Sequence, residues 1–146
     1  EGTTDFIFGP STALFENCEI RSKTNSYVTA ASTPEDIAVG YVFKNCKLTA
    51  NPGVDKVYLG RPWRPYAATV FINCEMGKHI RPEGWHNWGK EENEKTARYA
   101  EYNSTGEGAA AAGRVKWAKQ LTKKEAAQYD DLNYIYRMCS DWKPEN

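Results

Sequence analysis

The sequence predicts an all-β fold: a right-handed single-stranded parallel β-helix, present as a partial solenoid with a short C-terminal helix. Three observations carry that expectation. A strand-like unit recurs three times at a spacing of 28 residues, no apolar stripe of helical period accompanies it, and a helix signal occurs only near the C-terminus. The 146 residues are long enough for one domain, with coils and loops expected over 1–118 and a helix and tail over 119–146. Because the first residue is Glu1 and a strand follows almost at once, the chain reads as a piece of a longer protein, so the missing signal peptide carries no weight.

The first strand signal is Gly2-Thr3-Thr4-Asp5-Phe6-Ile7-Phe8-Gly9, which runs into a turn. The repeat then appears as Ala13-Leu14-Phe15-Glu16-Asn17-Cys18-Glu19-Ile20, Tyr41-Val42-Phe43-Lys44-Asn45-Cys46-Lys47-Leu48 and Thr69-Val70-Phe71-Ile72-Asn73-Cys74-Glu75-Met76. Each unit is an apolar triplet ending in Phe, a variable residue, Asn-Cys, a charge and an aliphatic residue. Alternation followed by a corner is strand chemistry. In a solenoid the coils stack about 4.8 Å apart, so Phe15, Phe43 and Phe71 should form an interior aromatic column. Asn17, Asn45 and Asn73 should occupy a corner, where Asn tolerates left-handed backbone and its amide can bond the next coil.

Cys18, Cys46 and Cys74 fall in the same register. Buried free thiols and a disulfide between adjacent coils are both readings of that column. The thiols are favoured, because in-register residues of parallel strands fit disulfide geometry poorly. A zinc site lacks the required ligand spacing. His79 and His86, either side of Pro82, read as loop residues.

Further on, Ala109 to Gly113 is a run of small residues, and Arg114-Val115-Lys116-Trp117 is expected as a last strand. Thr122-Lys123-Lys124-Glu125 fits a capping box leading into a helix. That helix is expected to cover the open end of the solenoid and protect its strand edge.

Composition narrows function by exclusion. Nineteen basic residues balance nineteen acidic ones, so there is no electrostatic case for nucleic acid. No apolar run approaches the roughly 18 residues of a membrane span, so no membrane insertion is expected.

Among residues able to do chemistry, Asp5 precedes Phe15 by ten positions and Arg61 precedes Phe71 by the same ten. With a 28-residue coil they share a phase, two coils apart, within reach of an extended Arg side chain. A bidentate guanidinium keeps an aspartate ionised and oriented, as a carboxylate nucleophile requires. An ordinary surface ion pair is the competing reading. In Leu59-Gly60-Arg61-Pro62-Trp63-Arg64-Pro65-Tyr66 two prolines stiffen the backbone and Trp63 follows the arginine by two, which suits sugar stacking as well as core packing.

These motifs resemble those of the pectin methylesterases. Gly2-Thr3-Thr4-Asp5-Phe6-Ile7-Phe8-Gly9 looks like that family's nucleophile motif and Leu59-Gly60-Arg61-Pro62-Trp63 like its arginine-tryptophan motif, in the right order. Val28-Thr29-Ala30, Pro82-Glu83-Gly84-Trp85-His86-Asn87-Trp88, Tyr99-Ala100-Glu101-Tyr102 and Gly113-Arg114-Val115-Lys116-Trp117 extend the similarity over nearly the whole chain. The resemblance implies a β-helix without metal or organic cofactor that acts on methyl-esterified homogalacturonan, the methylated form of pectin.

It implies further that Asp5 attacks the C6 methyl ester to give an acyl-enzyme, that Arg61 hydrogen-bonds Asp5, and that Trp63 packs on the sugar. Phe8 and Trp88 match places where the family presents apolar groups to the saccharide, although alternation counted from Asp5 turns Phe8 inward. The family's second aspartate and its oxyanion-hole glutamines precede the nucleophile motif and have no counterpart here. The chain is therefore expected to be the C-terminal part of a pectinesterase, nearly inactive alone, and to self-associate through the exposed edge of its first coil. Its polymer substrate implies a secreted or periplasmic, cell-wall-modifying hydrolase. The alternatives are a non-catalytic β-helix that binds pectic polysaccharide, and another β-helix enzyme such as a pectate lyase or polygalacturonase. The latter would need calcium-binding carboxylate clusters or paired catalytic aspartates, neither of which is evident in the sequence.

Overall fold

In the computed structural model the chain winds as a parallel β-solenoid of about three turns, and residues 1–137 are described. The expected tail from 138 to 146, including Cys139, lies outside the described residues. Each full turn contributes one short strand to each of three parallel sheets. The first turn holds β1 (Ile7–Gly9), β2 (Ala13–Glu16) and β3 (Glu19–Ser22). The second holds β4 (Tyr27–Ala31), β5 (Tyr41–Lys44) and β6 (Lys47–Ala50), and the third β7 (Tyr58–Gly60), β8 (Ala68–Ile72) and β9 (Glu75–Met76). A partial fourth rung follows through α1 (Asn93–Thr96) to β10 (Arg98–Tyr102) and then β11 (Lys119–Gln120), with single bridges at Trp85 and Thr105. The sheets are ordered β1-β4-β7, β11-β10-β8-β5-β2 and β3-β6-β9.

The 28-residue repeat is the register of the five-stranded sheet. Phe15 pairs with Phe43 and Phe43 with Phe71. Their rings stack nearly parallel, with centroids 4.7 and 4.4 Å apart. Phe43 and Phe71 are fully buried, and each such side chain contributes roughly 1.5–3 kcal/mol through the area it removes from water. Asn17, Asn45 and Asn73 turn the next corner in left-handed conformation, φ 53° to 56°, and Asn103 (φ 49°) adds a fourth rung, its Nδ2 donating to Oδ1 of Asn73 at 2.9 Å. Cys18, Cys46 and Cys74 are free thiols. The Cys46 and Cys74 thiols donate to the carbonyls of Phe15 and Phe43 on the preceding coil, which gives the column a hydrogen-bonding role without a covalent link.

Two expectations for the C-terminal third are corrected. Arg114 to Trp117 forms no strand: it follows two 3-10 turns, Glu107–Ala109 and Ala111–Gly113, Arg114 is drawn inward to a buried carboxylate, and the strand comes later, at β11. The helix does not cover the open end. Its capping box is present, Thr122 accepting from Glu125 N–H at 3.2 Å and Glu125 Oε1 accepting from Thr122 N–H at 3.1 Å. However, α2 (Lys123–Ala127) and α3 (Leu132–Ile135) lie against the outer face of the five-stranded sheet, where Ile135, Leu132 and Tyr129 join a cluster with Val42, Val70, Ile72 and Ala100. Alternation explains this: Val42 and Val70 point away from the phenylalanine column, so both faces of this sheet are apolar and the outer one needs a cover.

Candidate active site

The site forms on the outer side of the three-stranded sheet β1-β4-β7. Asp5 sits on the turn before β1 with its backbone in the left-handed region, φ 48°, which Asp tolerates better than most residues, and its N–H donates to Tyr27 C=O at 2.9 Å. That turn resets the alternation. Ile7 packs against the interior and Phe8 is 64% exposed, so the inward orientation expected for Phe8 by counting from Asp5 is overturned.

The shared phase of Asp5 and Arg61 is also corrected. Ile7 pairs with Thr29 and Thr29 with Gly60, so the rungs of this wall are 22 and 31 residues apart, where the phenylalanine wall keeps 28. Continued backwards, this register sets Asp5 beside Tyr27 and Tyr58, three residues short of Arg61. The two meet because the Arg61 side chain reaches back across the middle rung. Its Nε donates to Asp5 Oδ1 at 3.0 Å and its Nη2 to Oδ2 at 2.6 Å, a bidentate pair in which both side chains are about four-fifths buried.

Arg61 is fixed on every side. Its N–H bonds Thr29 C=O at 3.0 Å, and the preceding residue must be glycine, because a Cβ on Gly60 would lie 2.1 Å from Thr29 Oγ1. The guanidinium carbon lies 3.9 Å from the ring centroids of both Tyr27 and Trp88. Burial works against its charge, but the hydrogen bond to Asp5 and the attraction of that carboxylate outweigh it, so the pKa of Arg61 is raised. Trp88 comes from the loop after Arg81 and is itself left-handed, φ 64°, its N–H donating to His86 Nδ1 at 3.0 Å. His86 lies outside the strands, as expected, with its edge against the stacked rings of Tyr27 and Tyr58. Burial, then the charges of Arg61 and Arg81, lower its pKa. His79 is also a loop residue but is buried, and burial lowers its pKa too.

Trp63, on the loop after Arg61, is 41% exposed and meets Phe8 edge to face, with centroids 6.0 Å apart. Trp63 is thus not a core residue. The structure brings Asp5, Arg61 and Trp88 into one cluster and sets Phe8 and Trp63 together as an apolar pair on β1 and the loop after β7. Sequence reasoning missed Tyr27, Tyr58 and His86, because a 28-residue ruler does not align the wall on which they meet. Among the described residues no group of three or more His, Cys, Asp or Glu side chains is placed to hold a metal ion. What the arrangement offers chemically is a carboxylate oriented by two charge-assisted hydrogen bonds, a guanidinium held in place by aromatic rings, and exposed rings for an apolar or sugar face.

The Pectinesterase family model matches residues 1–138. Pectinesterase 31 of Arabidopsis thaliana is 43% identical, over 92% of this chain and 43% of that protein. Pectinesterase QRT1 of the same plant is 36% identical, over 93% of this chain and 36% of its own length. Among solved structures, the pectin methylesterase from carrot matches with a TM-score of 0.86 at 31% identity, covering 99% of this chain and 51% of that one. A pectin methylesterase in complex with hexasaccharide VII matches with a TM-score of 0.75 at 29% identity, covering 98% and 49%. The chain therefore spans about half, or less, of the length of these relatives.

Proposed function

The chain belongs to the pectinesterase family, and on that premise we propose that it carries the nucleophile half of an esterase acting on methyl-esterified galacturonan. One Asp5 carboxylate oxygen attacks the C6 ester carbonyl, the carbon–methoxy bond breaks, and methanol leaves. The resulting anhydride is hydrolysed by water to the free galacturonate, which restores Asp5. Arg61 orients the carboxylate, Tyr27 and Trp88 hold Arg61, and Phe8 and Trp63 receive the sugar. The observation that carries this reading is the bidentate Arg61–Asp5 pair beside an exposed aromatic surface. The relatives whose structures hold hexasaccharides add support on the side of the substrate.

The proton donor for methanol and the donors to the tetrahedral oxygen are assigned to a segment outside these 146 residues. Losses of about 10²- to 10⁴-fold and 10²- to 10³-fold are typical when such groups are removed, so the chain alone is expected to be nearly inactive. The test is methanol release from methylated pectin, measured for the chain and for a polypeptide that joins it to the upstream half of a pectin methylesterase. Release by the joined protein, lost in Asp5→Asn, is the expected result. Binding of the polymer with no methanol from either would point to a pectin-binding β-helix instead. Since the polymer lies outside the cytoplasm, we propose a secreted or periplasmic site of action.

A further inference from the structure

The phenylalanine column ends in an anomaly: the residue in register with Phe71 on the next rung is Glu101, whose carboxylate is buried inside the coil. An interior carboxylate is costly to desolvate, and another Phe would suit the column better. Glu101 is satisfied by two partners. Arg114 donates to it through Nε at 2.9 Å and Nη2 at 3.0 Å, and the Trp85 indole N–H donates at 3.2 Å. Arg114 has further donors to spend, and they go to the carbonyls of Arg81 and Pro82, at 3.3 and 3.1 Å, and of Gly108 at 2.6 Å.

Three of these bonds converge on one loop. The carbonyls of Arg81 and Pro82 open it, Gly84 passes over Arg114 so closely that a Cβ there would lie 2.5 Å from the Arg114 side chain, and Trp85 enters the interior. Three residues beyond Trp85, Trp88 lies on the Arg61 guanidinium. Between them His86 N–H bonds Gly60 C=O at 3.1 Å, so the loop is also tied to the residue before Arg61.

We propose that Glu101, Arg114 and Trp85 are positioning residues for the Asp5–Arg61 couple: from inside the solenoid they hold the Arg81–Trp88 loop so that its tip keeps Arg61 in its bidentate geometry. Their importance for reaction rests on the function proposed above, but the positioning is read without it. The probe is hydrogen exchange by NMR on the full 146-residue chain, following Arg61 Nε–H, the Trp85 indole N–H and the amides of Val42 and Val70. Trp85→Phe keeps an aromatic ring, smaller than the indole, and removes one donor, and Glu101→Gln removes the charge.

In both variants Arg61 Nε–H is expected to exchange at least about tenfold faster while Val42 and Val70 change less than about twofold. Unchanged Arg61 exchange would overturn the proposal. So would equal loss of protection at all sites, since that is what simple destabilisation produces. In a methanol-releasing protein the same variants are expected to lower kcat with little change in KM. Absence of methanol release there would count against the proposed function and leave the exchange result to be judged alone.

Discussion

Asp5 accepts both of its hydrogen bonds from a single planar donor, and that donor is itself clasped by two rings. Lysine cannot reproduce either the fork or the stacking. Arg61→Lys is therefore expected to lower methanol release roughly 10²-fold or more in a catalytically complete protein, as misplacement of a reacting group by about 1 Å does. Circular dichroism should remain unchanged. His86 and His79 give the fold a pH dependence. Both have pKa values lowered by burial, so the unfolded chain takes up protons first, near its ordinary value of about 6.5. Stability should be full above that value and fall as pH drops through 6.5 toward the folded pKa values. Thermal melts between pH 7.5 and 5.5 should show the midpoint decreasing. In His86→Asn, which keeps an acceptor for Trp88 N–H, the slope should be shallower.

At the level of elements, the two walls of the solenoid obey different rules. The five-stranded wall keeps its spacing because Phe15, Phe43 and Phe71 stack ring on ring, and a residue out of step would break the column. Phe43→Ala is expected to cost about 3–5 kcal/mol, read from denaturant unfolding, because neighbours on both sides prevent collapse into the cavity. That strictness is why the repeat, the Asn corners and the thiol column were legible from sequence. Asp5, Arg61 and Trp63 were legible only as motifs. Their phase was not, since loop length rather than register sets the distance between Asp5 and Arg61. Phe8 was misjudged because a left-handed Asp5 shifts the alternation, which no count of residues reveals. The C-terminal helix after Thr122 was found but misplaced, since Leu14, Val42 and Val70 on the outer face were read only as parts of a repeat and not as a surface awaiting a cover.

For the whole molecule, the two ends of the solenoid are unlike. β10 is paired with β8 on one side and β11 on the other, whereas β1 and β2 each have one neighbour, and the outer edge of β3 is met only by a single bridge from Gly2 to Ser22. Phe15 is only partly buried where Phe43 is fully so. Strands with an unpaired edge and apolar side chains at their interior face invite pairing with another chain. Light scattering of the isolated chain should therefore give a mass that rises with concentration, and a constant monomer mass would refute this. The Asp5–Arg61 contact has one more consequence. Stacked repeats are usually free to be duplicated or deleted, because each touches only its neighbours. Here one guanidinium reaches from the third turn to the first, and a duplicated turn between them would move the partners a further 4.8 Å or so apart, beyond the arm of an arginine. Modular growth of this coil is thus confined to its extremities, and the interval between carboxylate and guanidinium acts as a fixed gauge of two steps.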